Sequence, residues 1–250
     1  MIPKSWAQFP LFIGSKARFQ FPMQKLVNGA TLFVEPQEAR IYLSLYRDRF
    51  RFKVLKHNDG GFAYLLNAML AQAESEGLGW YAFCDDDIYG FRFRGKRMFE
   101  INTMMIEVRA MMVERQLAQL MVSFAGHNWY EAGDLKTHVG CWGFILNDVA
   151  ALRAVGGFDA DLPTFTDWDM SARLLRAGYQ TGCWYGAMFA HRMKSQPGGQ
   201  QAFRGRAERL DNCITRLQER YGANVVKRII AHNQPEPRFR WSLIKPSSRH

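Results

Sequence analysis

The chain has 250 residues, 48% of them hydrophobic, which suits one α/β domain or a core with a small C-terminal extension and excludes wholesale disorder. Its net charge of +10 favours a polyanionic partner: a nucleic acid, a nucleotide or an anionic membrane face. No apolar run reaches membrane-spanning length, and the opening Met1-Ile2-Pro3-Lys4 has no signal-peptide core, so the expectation is a cytoplasmic protein without membrane insertion.

The first apolar run, Pro10 to Gly14, reads as a short buried strand that ends in the turn Gly14-Ser15-Lys16-Ala17-Arg18. A second strand at 30–34 ends at Glu35-Pro36-Gln37-Glu38, and a helix over 38–49 follows. A third at 52–55 ends at His57-Asn58-Asp59-Gly60-Gly61, and a helix from about Phe62 to Ser75 is stopped by Gly77 and Gly79. The fourth strand, Trp80 to Cys84, runs straight into Asp85-Asp86-Asp87.

Residues 100–124 read as one Met-rich helical stretch, 138–147 as a strand, 149–154 and 166–177 as helices, and 201–221 as an arginine-rich helix before a Pro- and Arg-rich tail. Alternating strands and helices predict a largely parallel sheet covered on both faces, with ligands gathered at the carboxyl ends of the strands. Cys84, Cys141, Cys183 and Cys213 form no CxxC pair and read as reduced, buried thiols.

Three adjacent carboxylates at the end of an apolar strand repel one another, and a hard divalent cation offsets that cost. Asp85 and Asp87 alternate and can face one way, which makes them the candidate ligands. Further on stand Val155-Gly156-Gly157-Phe158-Asp159 and Thr166-Asp167-Trp168-Asp169-Met170. Thr166 can cap a helix, and Asp167 in its first turn can accept a proton from an attacking hydroxyl. His191 precedes Gln196-Pro197-Gly198-Gly199-Gln200, and a neutral imidazole there can complete a metal shell.

Together these pieces resemble the GT-A glycosyltransferases, whose DxD-type motif holds the metal that bridges the donor diphosphate. A later GGFDE…ED-x-D…R…G-Y segment of that superfamily carries the catalytic base. Here the pattern reads GGFDAD…TDWDMSARLLRAGY, departing at Thr166, where Glu is usual. A narrower resemblance is to the TET-associated glycosyltransferases of bacteriophages, carried by Val34-Glu35-Pro36-Gln37-Glu38, by Asn58-Asp59-Gly60 with Asn67, and by Asp85-Asp86-Asp87-Ile88-Tyr89-Gly90-Phe91.

The resemblance implies an α/β GT-A (Rossmann-like) core over residues 1–200, with helices on both faces of a mostly parallel sheet and a basic C-terminal helical extension over 201–250. It implies inverting transfer of a sugar from a nucleotide sugar, a UDP-sugar, to a hydroxymethylated pyrimidine in DNA. Asp167 would be the base; Asp85, Asp87 and His191 would hold Mn²⁺ or Mg²⁺. Ser15, Arg18, Glu35, Asp59, Asn67 and Asp86 would contact the donor.

Arg92, Arg94, Lys96 and Trp168 would face the acceptor, with Phe91 and Phe93 available to stack bases. Further phosphate contacts are expected from Arg204, Arg206, Arg209, Arg216 and Arg220, and from Arg238, Arg240, Lys245 and Arg249. Three alternatives stay open: a saccharide, lipid or protein acceptor, a non-catalytic nucleic-acid-binding protein, and a nucleotidyltransferase.

Overall fold

The computed structural model describes residues 5–94, 96–98, 101–124, 135–137, 143–162, 165–191 and 206–224. In chain order the strands are β1 (Ser5–Trp6), β2 (Leu11–Gly14), β3 (Val27–Asn28), β4 (Thr31–Val34), β5 (Arg51–Val54), β6 (Trp80–Asp85), β7 (Ile88–Phe93), β8 (Lys96–Met98), β9 (Leu117–Phe124), β10 (Leu135–Thr137), β11 (Phe144–Asp148) and β12 (Gln180–His191). The helices are α1 (Pro36–Tyr46), α2 (Gly61–Ser75), α3 (Ile101–Glu114), α4 (Val149–Ala154), α5 (Thr166–Arg176) and α6 (Arg206–Tyr221).

The large sheet runs β5-β4-β2-β6-β11-β9-β12-β7-β8, with β10 beside β12. Strands β2, β4, β5, β6, β8, β9 and β12 point one way and β7, β10 and β11 the other, so the sheet is mostly parallel with reversed strands on one side of β6. The side-chain alternation of each strand feeds two cores. Leu11, Ile13, Leu32, Val34, Ala82 and Cys84 join α1 and α3 on one face. Phe12, Phe33, Tyr81 and Phe83 join α2, α4 and α5 on the other. Each fully buried side chain of this size contributes about 1.5–3 kcal/mol.

One expectation fails. The Met-rich stretch is not a single helix: α3 ends at Glu114, Gln116 takes φ 52°, and Leu117–Phe124 enters the sheet between β11 and β12. A strand buried on both faces reads as a continuous apolar run, so its period does not separate it from a buried helix.

Cys84, Cys183 and Cys213 are free and buried, as expected, and Cys141 lies outside the described residues. Among the described residues no helix is long and apolar enough to cross a membrane.

Candidate active site

The parallel strands β2, β4 and β6 end side by side, and the register pairs Gly14 with Asp85. A Cβ on Gly14 would meet Leu65 Cδ2 at 2.4 Å, so a larger residue here would require the Leu65 side chain to move aside. The next residue, Ser15, is buried and donates from Oγ to Asp86 Oδ2 at 2.6 Å. That leaves Tyr42 Oη, 2.7 Å away, as the donor to Ser15 Oγ. Tyr42 Oη in turn accepts the Arg18 backbone N–H at 3.1 Å.

The Arg18 guanidinium closes the circuit. It is ion-paired with Asp86, and its Nη1 lies 3.0 Å from Asp87 Oδ2. Burial pushes the Asp86 carboxyl up to about 7; the Arg18 charge and the Ser15 hydroxyl pull against that rise, and Asp87 adds to it. The loop carrying Arg18 is fixed from α1: Glu38, itself buried, accepts the Ala17 N–H with both oxygens, at 2.9 and 3.1 Å, and Ala17 stands at φ 53°. Glu38, quoted only within the Val34–Glu38 string, and Tyr42 were given no site role from the sequence. Their i, i+4 spacing on one helix face was the available signal.

Beside this circuit, Lys16 bridges Glu35 (Nζ to Oε1, 3.0 Å) and Asp59. The Glu35 carboxylate also accepts the Asp59 N–H at 2.9 Å and Gln37 Nε2 at 3.0 Å. Glu35 is therefore a buried organiser of the β4 end, while Asp59, at φ 55° with a side chain 67% exposed, faces solvent. Asn67 departs from its expected donor role: its amide nitrogen donates to Phe158 O at 2.8 Å and its oxygen accepts Phe158 N–H at 2.9 Å, so it clamps the Gly156-Gly157-Phe158 loop onto α2.

Asp167 lies in the first turn of α5. The cap expected from Thr166 is absent: Phe165 occupies the N-cap at φ 56°, and the Thr166 hydroxyl is buried without a hydrogen-bond partner among the described residues. Trp168 is buried against Leu162, Cys213 and Leu217, under α6, instead of offering an open face to an acceptor. Asp169 is fully buried and receives Arg173 Nε at 2.7 Å, Tyr221 Oη at 2.7 Å and the Arg220 guanidinium. Arg173 also donates to Val155 O at 2.5 Å and Gly157 O at 2.7 Å.

Arg92, Arg94 and Lys96 are exposed, and Arg94 is ion-paired with Glu107. Phe91 and Phe93 belong to the core, which corrects their expected role as stacking groups: the strand alternation that exposes Arg92 turns both rings inward. Arg216 and Arg220, expected to contact phosphates, have partners within the protein. They pair with Asp161 and with Asp159 and Asp169, holding α6 to the core. Arg204, Arg238, Arg240, Lys245 and Arg249, and the side chains of Arg206 and Arg209, lie outside the described residues.

His191 ends β12, and the register sets it beside Ile88, one residue beyond Asp87; its side chain lies outside the described residues. Asp85 accepts structure from the far side through its N–H, which donates to Gly143 O at 2.7 Å, and a Cβ on Gly143 would come within 3.4 Å of Asp85 Oδ2. Among the described residues no three His, Cys, Asp or Glu side chains form a complete metal cage. The oxygen donors of Asp85 and Asp87 nevertheless fit Mg²⁺ or Mn²⁺: such ions are commonly held by one or two carboxylates, with waters and substrate phosphates completing the shell.

No family model matches the chain, and no curated protein matches it. Solved structures do. The chain is similar to TarS 1-349 of S. aureus in complex with UDP-GlcNAc, with 12% identity, TM-score 0.53 and coverage of 92% of this chain and 71% of that one. It is similar to the mannosyltransferase PcManGT of Pyrobaculum calidifontis in complex with GDP-Man and Mn²⁺, with 12% identity and TM-score 0.58. That match covers 87% of this chain and 64% of the mannosyltransferase. At this identity the likeness defines the fold: an α/β fold of the GT-A glycosyltransferase type.

Proposed function

We propose that the chain transfers a sugar from a nucleotide-sugar donor, a UDP-sugar, to a hydroxyl, and that the hydroxyl belongs to a 5-hydroxymethylpyrimidine in DNA. The observation that carries the transferase reading is the junction of Arg18, Asp86 and Asp87 at the ends of two parallel strands, where ligands of open α/β sheets bind. The fold shared with TarS and with the mannosyltransferase supports it.

In this reading Asp59 and the β4 end meet the nucleoside, and Arg18 meets the diphosphate. Asp167 takes the proton of the attacking hydroxyl, whose oxygen forms a bond to the anomeric carbon. The bond from that carbon to the diphosphate oxygen breaks, and its electron pair leaves with the nucleoside diphosphate. A single displacement of this kind inverts the anomeric centre. Asp85 and Asp87, with His191, would hold a divalent cation, which when bound would supply charge stabilisation to the leaving diphosphate. Asp169 and Arg173 hold the helix that carries the base. Residues 1–200 form the catalytic core in this reading, and 201–250 a basic extension on it.

The exposed Arg92, Arg94 and Lys96 and the net charge of +10 support DNA as acceptor. The inward-facing Phe91 and Phe93 and the internally paired Arg216 and Arg220 favour a second reading, a saccharide, lipid or protein acceptor. Incubating hydroxymethylated DNA with a panel of nucleotide sugars and weighing the released nucleosides by mass spectrometry decides between them. A hexose-sized mass gain on the modified base is expected. Donor turnover that needs no DNA would replace DNA by the second acceptor class.

A further inference from the structure

Arg18 stands where a cation is needed before any donor arrives. Its guanidinium contacts both Asp86 and Asp87, and its side chain is only 11% exposed. The backbone that carries it is held at two consecutive residues, Ala17 N–H by Glu38 and Arg18 N–H by Tyr42 Oη. The backbone anchor is therefore fixed, so any displacement of Arg18 has to come from its side chain. Asp87 Oδ2, which Arg18 approaches at 3.0 Å, belongs to a residue assigned above to the divalent cation. A cation held by Asp87 would stand next to the guanidinium, and like charges at that range in a partly buried site repel strongly.

We propose that Arg18 is a displaceable counter-cation. Its guanidinium pairs with Asp86 and Asp87 in the donor-free protein, competes with the divalent cation for Asp87, and moves onto the donor diphosphate when that cation binds. This rests on the donor reading above. It makes two ligands depend on each other: the metal alone binds against Arg18, whereas a diphosphate gives Arg18 a new partner and lifts the competition. By reciprocity the metal then tightens the nucleotide by the same factor.

The test is the affinity of Mn²⁺ alone, followed by calorimetry and by the Mn²⁺ electron paramagnetic resonance signal, in the full chain and in Arg18→Gln. Mn²⁺ alone should bind the variant at least about fivefold more tightly, while UDP, or GDP if wild type prefers it, should bind at least about fivefold more weakly at saturating Mn²⁺. Opposite shifts for the two ligands are not the outcome of general damage to the site. Equal or weaker Mn²⁺ binding in the variant overturns the proposal.

Should Arg18→Gln fail to fold, Arg18→Lys serves. It keeps the charge but replaces the guanidinium, whose Nη1 meets both carboxylates, by a shorter side chain ending in an ammonium, so both shifts should appear at reduced size, and unchanged Mn²⁺ affinity would again overturn the proposal. If neither nucleotide binds the wild type with Mn²⁺ present, the donor reading fails, and the Mn²⁺-alone comparison still decides whether Arg18 holds the metal off.

Discussion

Tyr221, the last residue of α6, donates from its phenol to Oδ1 of Asp169 on α5 at 2.7 Å, so a C-terminal helix ends on the carboxylate two residues beyond the candidate base. The adjacent Arg220 spans Asp169 and Asp159, with Nη2 2.7 Å from Asp159 Oδ2. Burial alone would raise the Asp159 carboxyl. The hydrogen bonds from Arg220 and the Asp161 N–H, with the charges of Arg220 and Arg173, outweigh it and hold Asp159 below its ordinary value.

A carboxyl depressed in the folded state contributes stability that is fully present above the unfolded value, about 3.9, and is lost as pH falls through the folded value. Arg220→Gln is expected to be less stable by about 3 kcal/mol at neutral pH, because it leaves the buried Asp169 undercompensated. The gap to wild type should narrow below about pH 4 as Asp159 protonates. Urea unfolding of both proteins at pH 7, 4 and 3 reads this, and a gap that stays constant with pH would remove the ion pairs as its source.

Asp87→Asn keeps the shape of the side chain and removes one anionic oxygen from the strand-end cluster. Transfer should be nearly abolished across a range of Mn²⁺ concentrations while circular dichroism stays unchanged. Near wild-type turnover without added metal would refute the metal role of Asp87.

Asp167→Asn should lower turnover by roughly 10²–10⁴-fold, the size of a lost general base. Donor affinity should hold, since the donor phosphates are assigned to the other strand ends. A variant that loses donor binding but keeps its rate at saturation would place Asp167 on the donor side.

Glu38→Ala removes the carboxylate that accepts Ala17 N–H and releases a loop held at positive φ. Loosening the anchor of Arg18 should raise the donor KM roughly tenfold, the worth of one charge-assisted hydrogen bond, with kcat little changed. A fall in kcat at unchanged donor KM would assign Glu38 to a different part of the cycle.

Charge reversal at Arg92, Arg94 and Lys96 together should weaken binding of hydroxymethylated DNA and make its salt dependence shallower, because fewer counterions are released per complex. Nucleotide-sugar affinity should be unaffected. Fluorescence anisotropy at several salt concentrations measures the first and calorimetry the second. An unchanged salt slope would remove this patch from the acceptor surface.

The sequence by itself determined the strand-end chemistry. Short apolar runs closed by Gly14-Ser15, Glu35 and Asp85-Asp86-Asp87 mark where parallel strands stop, and polar residues at those stops must converge once the strands pair in register. Local pattern also placed α1, α2, α4 and α5 within a few residues. Only the tertiary structure decided which side chains are already engaged. Asn67 holds Phe158, 91 residues away, and Arg220 holds Asp169, 51 residues away, contacts that no local pattern encodes. It likewise turned Leu117–Phe124 into a central strand, because burial on both faces erases the polar alternation by which a strand is recognised. It also turned Phe91 and Phe93 inward and Trp168 beneath α6. The alternation Phe91-Arg92-Phe93 was the local mark of two inward rings, whereas the burial of Trp168 depends on α6 packing over it, which no local pattern encodes.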